Sequence, residues 1–282
     1  MQFHKPTADL FIPDGASIPE ALSRTTHLCI CAHQDDIEIM AYHGVAACFG
    51  LDDKWFSWVV VTNGAGSPRA GIYEKYTDEE MQKVRRLEQR KAAYVGEYAC
   101  QIQLDYTSAE VKDAKFGGVR HDLASILAVA RPEVVYLHNL ADKHDTHVAV
   151  TLRAIDALRT LSPGLRPKRV FGCEVWRDLD WLPDEDKQPL PVSSRQNIAA
   201  ALVGIFDSQV TGGKRYDLAT AGRRLANATY FASHATDVET ALAFAMDLTP
   251  LVEDASPSPA AYTLGFVEKF KADVEMRIRK VS

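Results

Sequence analysis

Nothing in this chain reads as an export or membrane signal. Its first fifteen residues, MQFHKPTADLFIPDG, have neither the basic start nor the apolar stretch of a secretory leader. No run approaches the ~20 apolar residues needed to cross a bilayer. Cysteine is scarce: Cys29, Cys31, Cys48, Cys100 and Cys173 are odd in number and lack CxxC spacing. That argues against a disulfide framework or a ribbon-type zinc site. The five read instead as small buried hydrophobes in a reducing compartment. Basic excess is also missing, because the net charge is −6 with the signs intermixed. A dedicated nucleic-acid face is therefore not expected. No GxGxxG follows the first strand-like run, which disfavours a dinucleotide-binding turn. Repeats and low-complexity tracts are lacking too. The expectation is a soluble, cytoplasmic protein with neither nucleic acid nor membrane as partner.

What the chain does have is a core. Apolar residues make up 46% of 282, enough for one large α/β domain or a domain with an added lobe. Residues 1–24, with three prolines and no periodicity, read as a surface arm. Strand-like runs fall at His27–Ala32, Trp55–Thr62, Gln101–Leu104 and Glu133–Leu137. Helical patterns lie between and after them, at Ile39–Phe49, from Thr77 to Gly96, at Val119–Ala130 and at His147–Leu161. Thr77 and Glu80 form a capping-box pattern, and Gly96 suits a C′ glycine. Alternating strands and helices predict an α/β, Rossmann-like, doubly wound and mainly parallel sheet. Right-handed crossovers place the four strands in the spatial order 3-2-1-4. Residues 25–165 form this core. Residues 166–282 are less regular, with a strand at Val170–Trp176, a helix at Gln196–Phe206, a loop over Leu179–Arg195 and at least two helices between Tyr216 and Lys271. They read as a C-terminal extension or small lobe completing the substrate wall.

The predicted order brings the loops after the first and fourth strands to the switch point, where ligands bind in open α/β sheets. The first loop carries His33-Gln34-Asp35-Asp36, with Glu38 close behind, and the second carries Asp142-Lys143-His144-Asp145-Thr146-His147. Taken alone, the first cluster is an ordinary helix cap with a solvated histidine. Two such clusters meeting at adjacent strand ends supply two nitrogen ligands and one oxygen ligand. Three protein ligands with an open fourth position suit catalytic zinc, which lowers the pKa of bound water to about 7. Asp35, beside Asp36, is the carboxylate available to take a proton. His144, one turn before His147, is available to stabilise an oxyanion or protonate a leaving amine. Asp142 reads as a loop pin and Glu38 as a group orienting a ligand. Arg85, Arg86 and Glu88 read by default as solvated helix charge. His43, His121 and His138 read as ordinary polar residues, and Trp176 and Trp181 as core aromatics or a sugar-binding wall.

These motifs resemble the PIG-L/LmbE-like zinc-dependent N-acetylglucosamine deacetylases. Ala32-His33-Gln34-Asp35-Asp36-Ile37-Glu38 is similar to that family's AHPDD-x-Glu motif, with Gln34 in place of proline. Asp142–His147 is similar to Asp-x-His-Pro-Asp-His, keeping the outer aspartate and both histidines. Val61-Thr62-Asn63-Gly64 resembles a Thr-x-Gly loop, Arg85 to Ala93 an Arg-x-x-Glu helix, Leu104-Asp105 a Leu-x-Asp element, and Asp207-Ser208-Gln209 a Ser-Gln element. The resemblance implies metal ligation by His33, Asp36 and His147, with zinc the expected ion and iron(II) the other candidate. It implies Asp35 as general base, His144 as oxyanion stabiliser or acid, and Arg85 and Asp105 as substrate contacts. It further implies removal of an acetyl group from a small N-acylated amino sugar by activated water, and possible assembly into a homo-oligomer. The alternatives are an amidase for a larger glycosyl amide or thiol conjugate, and a non-catalytic metal- or sugar-binding relative. Two departures stand out. Gln34 lacks proline's fixed φ. Asp145-Thr146 replaces Pro-Asp, so Thr146 supplies no anion to buttress a histidine.

Overall fold

A computed structural model describes residues 1–282. Its strands are β1 (Asp9–Phe11), β2 (His27–Cys31), β3 (Phe56–Thr62), β4 (Cys100–Tyr106), β5 (Val134–His138), β6 (Arg169–Cys173), β7 (Lys187–Pro191) and β8 (Leu242–Asp247). Its helices are α1 (Ile18–Ser23), α2 (Asp36–Met40), α3 (Tyr42–Cys48), α4 (Asp78–Val95), α5 (Ser108–Lys112), α6 (Gly118–Ala130), α7 (Asp145–Arg159), α8 (Gln196–Gly204), α9 (Asp207–Val210), α10 (Tyr216–Tyr230), α11 (Thr249–Glu253) and α12 (Pro259–Val281). All eight strands join one sheet in the order β1-β4-β3-β2-β5-β6-β8-β7.

The five strands β2 to β6 run parallel to one another. The order β4-β3-β2-β5 is the expected one, and it puts the ends of β2 and β5 side by side. Helices cover both faces, so β3, reading FSWVVVT, is buried at every position. Antiparallel strands close the sheet on both sides. On one side the N-terminal arm pairs β1 with β4, where a loop-like arm was expected. His4 N–H bonds the buried Asp122 carboxylate at 3.1 Å, which fastens the arm. On the other side β7 and β8 continue the sheet, so residues 166–282 extend it as β6, β8 and β7 rather than building a separate sheet. β7 carries Pro189 and Pro191 on an edge, where missing N–H groups cost no ladder bonds.

Thr77 and Glu80 form the expected capping box on α4. The end of α4 differs from expectation. Gly96 has a right-handed φ of −88°, and Glu97 is the left-handed residue at +53°. Gly96 serves packing instead, because a Cβ there would lie 2.2 Å from the Tyr98 ring. The helix expected over Ile39–Phe49 is two helices broken at Ala41, whose φ,ψ of −113°, 18° leaves the helical region. No helix is long and apolar enough to cross a membrane. All five cysteines are free and buried.

Candidate metal centre and cavity

His33, Asp35 and Asp36 sit in the turn from β2 into α2, while His144 and His147 begin α7 after β5. The two loops meet as the strand order requires. His33 Nδ1 lies 3.1 Å from His147 Nε2. Asp36 Oδ2 lies 3.3 Å from His33 Nδ1 and 3.5 Å from His147 Nε2. A tetrahedral ion with bonds of about 2.0–2.1 Å sets its ligand atoms roughly 3.3–3.4 Å apart. The nitrogen–nitrogen–oxygen set therefore fits zinc in spacing and in donor chemistry. Burial pushes the His33 imidazole down to about 4. Burial works against ionised Asp36, yet His147, His138 and His33 hold it well below the usual carboxylate range. Neutral imidazole and ionised carboxylate are the ligating forms.

His138, at the end of β5, is the residue that sequence reasoning undervalued. Its ring stacks on His147 at 3.8 Å, and its Nε2 lies 3.5 Å from Asp36 Oδ2. Position alone makes it a competing ligand, since Asp36, His138 and His147 also cluster. However, His138 Nε2 accepts the Ala32 N–H at 2.9 Å, so its lone pair is already engaged. His138 ties the end of β5 to the end of β2. Its place at a strand end beside the switch point was the only signal for this. His144 stands on the other side, with ring centroids 5.0 Å from His33 and 4.6 Å from His147. It lines the open cavity, and its Nδ1 has no protein partner.

Asp142 performs the pinning expected of it, accepting the N–H of His144 at 3.0 Å and of Trp176 at 3.1 Å. Its Oδ2 also faces His147 Nδ1 at 3.5 Å. The anion that Thr146 lacks thus comes from Asp142, and Thr146 is simply buried. Burial opposes a charged His147, but Asp36 and Asp142 raise its pKa above the usual value.

Asp35 caps α2 with a left-handed backbone, φ +88°. Such a conformation in a residue with a Cβ is strained and needs support. The support comes from α4. Gln89 Oε1 accepts the Asp35 N–H at 3.1 Å, and Gln89 Nε2 donates to Glu38 at 3.0 Å. Arg85 donates to the Gln34 carbonyl at 2.6 Å and lies 3.5 Å from Asp35 Oδ1. Burial pushes the Asp35 carboxyl up to about 8; Arg85 opposes this and Asp36 adds to it. Glu38 is likewise pushed up to about 8 by burial. It contacts Gln89 and Tyr98 rather than a ligand.

The solvated-charge reading of α4 is corrected for two residues. Arg85 and Glu88 are each 4% exposed and, with Gln89, form a polar stripe against the site. Arg86 instead reaches outward to Asp105 at 3.1 Å. Asp105 bonds Thr7 and Arg86 and does not line the cavity. Gln34 now has a physical account. Its side chain is buried, and its Nε2 donates to Thr62 O at 3.3 Å and Gln103 Oε1 at 3.1 Å, bracing the turn against β3 and β4. Gly64 makes the room: a Cβ there would lie 2.4 Å from Gln34 Oε1, and its φ is +73°.

Above this floor opens a cavity of about 360 Å³. His33, Asp35, Asp36, Arg85 and His144 line its base, and Trp176, Gln209, Lys214 and Tyr216 form the far wall. These wall residues follow β6 or belong to the α9–α10 region, where only Gln209 and Trp176 had any sequence signal. Trp181 packs elsewhere, edge-on to Phe270.

Sheet order and site together define a Rossmann-like α/β protein with a buried His/Asp cluster at the switch point. Residues 28–158 match the model of the PIG-L family, described as GlcNAc-PI de-N-acetylase. The sequence has no match among curated proteins. Among solved structures, a conserved protein from Thermus thermophilus shares 18% identity over 82% of this chain and 98% of its own, with a TM-score of 0.62. The 4-carboxy-2-hydroxymuconate hydratase GalB of Pseudomonas putida KT2440 shares 18% over 79% and 95%, with a TM-score of 0.61. The N,N'-diacetylchitobiose deacetylase of Pyrococcus horikoshii shares 14% over 85% and 89%, with a TM-score of 0.61. At these identities the likeness is one of fold.

Proposed function

We propose that this protein is a metal-dependent N-deacetylase acting on a small N-acylated amino sugar, with His33, Asp36 and His147 as the metal ligands. The observation that carries the reading is the set of three donor atoms 3.1 to 3.5 Å apart, with Asp35 next to Asp36 in the same turn. A divalent ion held there, zinc in the first place and iron(II) in the second, supplies a Lewis acid for the acyl carbonyl and an activated water. Asp35 takes the proton from the attacking water, with its carboxylate presented by the strained turn that Gln89 and Arg85 hold. His144, which lines the cavity beside the three donors, donates to the developing oxyanion or to the departing amine. Arg85 acts on Asp35 and on the loop at Gly64 and Ser67 more than on substrate, because those groups and the Gln34 carbonyl engage its donors. Acetate and a free amine are the products.

The family match and the deacetylases among the fold neighbours support this chemistry. The cavity, of about 360 Å³, has room for a sugar-sized amide. The hydratase neighbour is a reminder that the fold alone does not select acyl hydrolysis. Acetate release from an N-acetylglucosaminide decides it. The metal-loaded protein turns the amide over, and a chelator abolishes turnover. Absence of acetate from N-acetylated sugars would reject the reading, and turnover confined to larger glycosyl amides would replace it with the amidase alternative.

A further inference from the structure

The cavity holds two cationic side chains, and only one of them is engaged. Arg85 gives its donors to Gly64 O at 3.2 Å, Ser67 Oγ at 2.6 Å and Gln34 O at 2.6 Å, and it faces Asp35. Lys214 is exposed on the opposite wall, and its ammonium has neither an ion-pair partner nor a hydrogen-bond acceptor in the protein. Its Nζ rests over the Trp176 ring, 4.9 Å from the centroid. Such a contact is weak at an exposed site, and a charge-assisted hydrogen bond to an anion exceeds it.

The backbone beneath Lys214 is fixed. Its N–H donates to Gln209 O at 2.9 Å, and its carbonyl accepts the Tyr216 N–H at 2.8 Å. Gln209 is 4% exposed, and its side chain bonds Ser208 Oγ at 3.1 Å. Ser208 is in turn clamped by Glu88, which accepts its N–H at 2.8 Å and its hydroxyl at 2.6 Å. A buried network reaching back to α4 thus sets a free cation at the cavity wall. The floor thus carries Asp35 and Asp36 with Arg85 already engaged beside them, and the far wall carries Lys214 with no partner.

We propose that Lys214 is a specificity-determining residue, selecting amino sugars that carry an anionic group, a carboxylate or a phosphate monoester, on the side away from the acyl amide. The proposal rests on the deacetylase reading for its substrate class. The amide lies at the acidic, metal-binding end, and the anion exchanges the Trp176 face for itself as the partner of Lys214.

The test compares N-acetylglucosamine, N-acetylglucosamine 1-phosphate and an N-acetylglucosaminide of a hydroxy acid. The wild-type protein prefers the anionic substrates by about tenfold in kcat/KM, through KM. The preference shrinks as ionic strength rises. Lys214→Met brings the anionic-to-neutral ratio to about one, Lys214→Glu inverts it, and Lys214→Arg restores it. The phosphate and carboxylate arms identify which anion is favoured. An unchanged ratio in Lys214→Met, or no preference in the wild type, overturns the proposal. A parallel calorimetric comparison of glucosamine 1-phosphate with glucosamine reads the same ratio without turnover. If no substrate releases acetate, the deacetylase reading fails while binding still decides the role of Lys214; equal affinities there reject it.

Discussion

The floor and the wall of the cavity are built in different ways. Apart from Arg85 of α4, the floor comes from two short runs, His33–Asp36 and His144–His147, that lie far apart in sequence and meet because β2 and β5 are neighbours. Its chemistry is concentrated in those runs, and backbone turns set its geometry. The wall comes from Trp176, Gln209, Lys214 and Tyr216, single residues that are brought together by buried anchors. Glu174 accepts N–H bonds from Leu179, Phe244 and Asn227. Glu88 clamps Ser208. Arg224 of α10 reaches under the floor, donating to the carbonyls of Glu38 and Ile39 at 2.7 and 3.0 Å. On the proposed reading, reaction chemistry resides in local sequence, and substrate fit resides in long-range side-chain bonds that leave no local pattern.

The difference can be broken first at Asp35. Asp35→Asn removes the proposed base while leaving the three ligands in place. It lowers turnover by about 10²- to 10⁴-fold with metal content unchanged. Near-native turnover would reassign the base. Next come the anchors. Glu174→Gln leaves one acceptor oxygen where the carboxylate offers two for three donors, and Arg224→Met leaves two buried carbonyls without their donor. Each costs about 1–3 kcal/mol of stability, read as a shifted denaturation midpoint, and neither removes metal. Loss of metal from either variant would merge wall and floor into one unit. The smallest effect concerns the cysteines. Burial raises all five thiols, Cys48 up to about 11 and Cys100 up to about 12. Since the thiolate is the reactive form, the folded protein at pH 8 resists a thiol reagent that labels the denatured chain at all five sites.

The same division explains what was legible in the sequence. The core strands alternate with periodic helices, so their order could be derived, and from it the meeting of His33 and Asp36 with His147. β8 escaped because LAFAMD is alanine-rich and carries little strand propensity. β7 escaped because its prolines read as loop. β1 is three residues held by an arm whose anchor, Asp122, lies more than a hundred residues away. At the site, Gln34 looked like a lost proline because its partners Thr62 and Gln103 are remote in sequence. Arg85 and Glu88 looked solvated because charge pattern on a helix does not reveal which face packs against a site. Asp105 shares a motif with residues near the cavity, yet its own left-handed φ of +66° accompanies contacts to Thr7 and Arg86 instead. Lys214 belonged to no motif.

In the proposed site, His33, Asp36 and His147 hold one metal ion, with Asp35 outside the ligand set. Zinc titration of the metal-stripped protein and of two variants, followed by direct metal analysis, tests it most directly. The wild type and Asp35→Asn each bind about one zinc per chain tightly, whereas His147→Ala loses that site. Full zinc occupancy in His147→Ala, or its loss in a folded Asp35→Asn protein, would contradict the assignment.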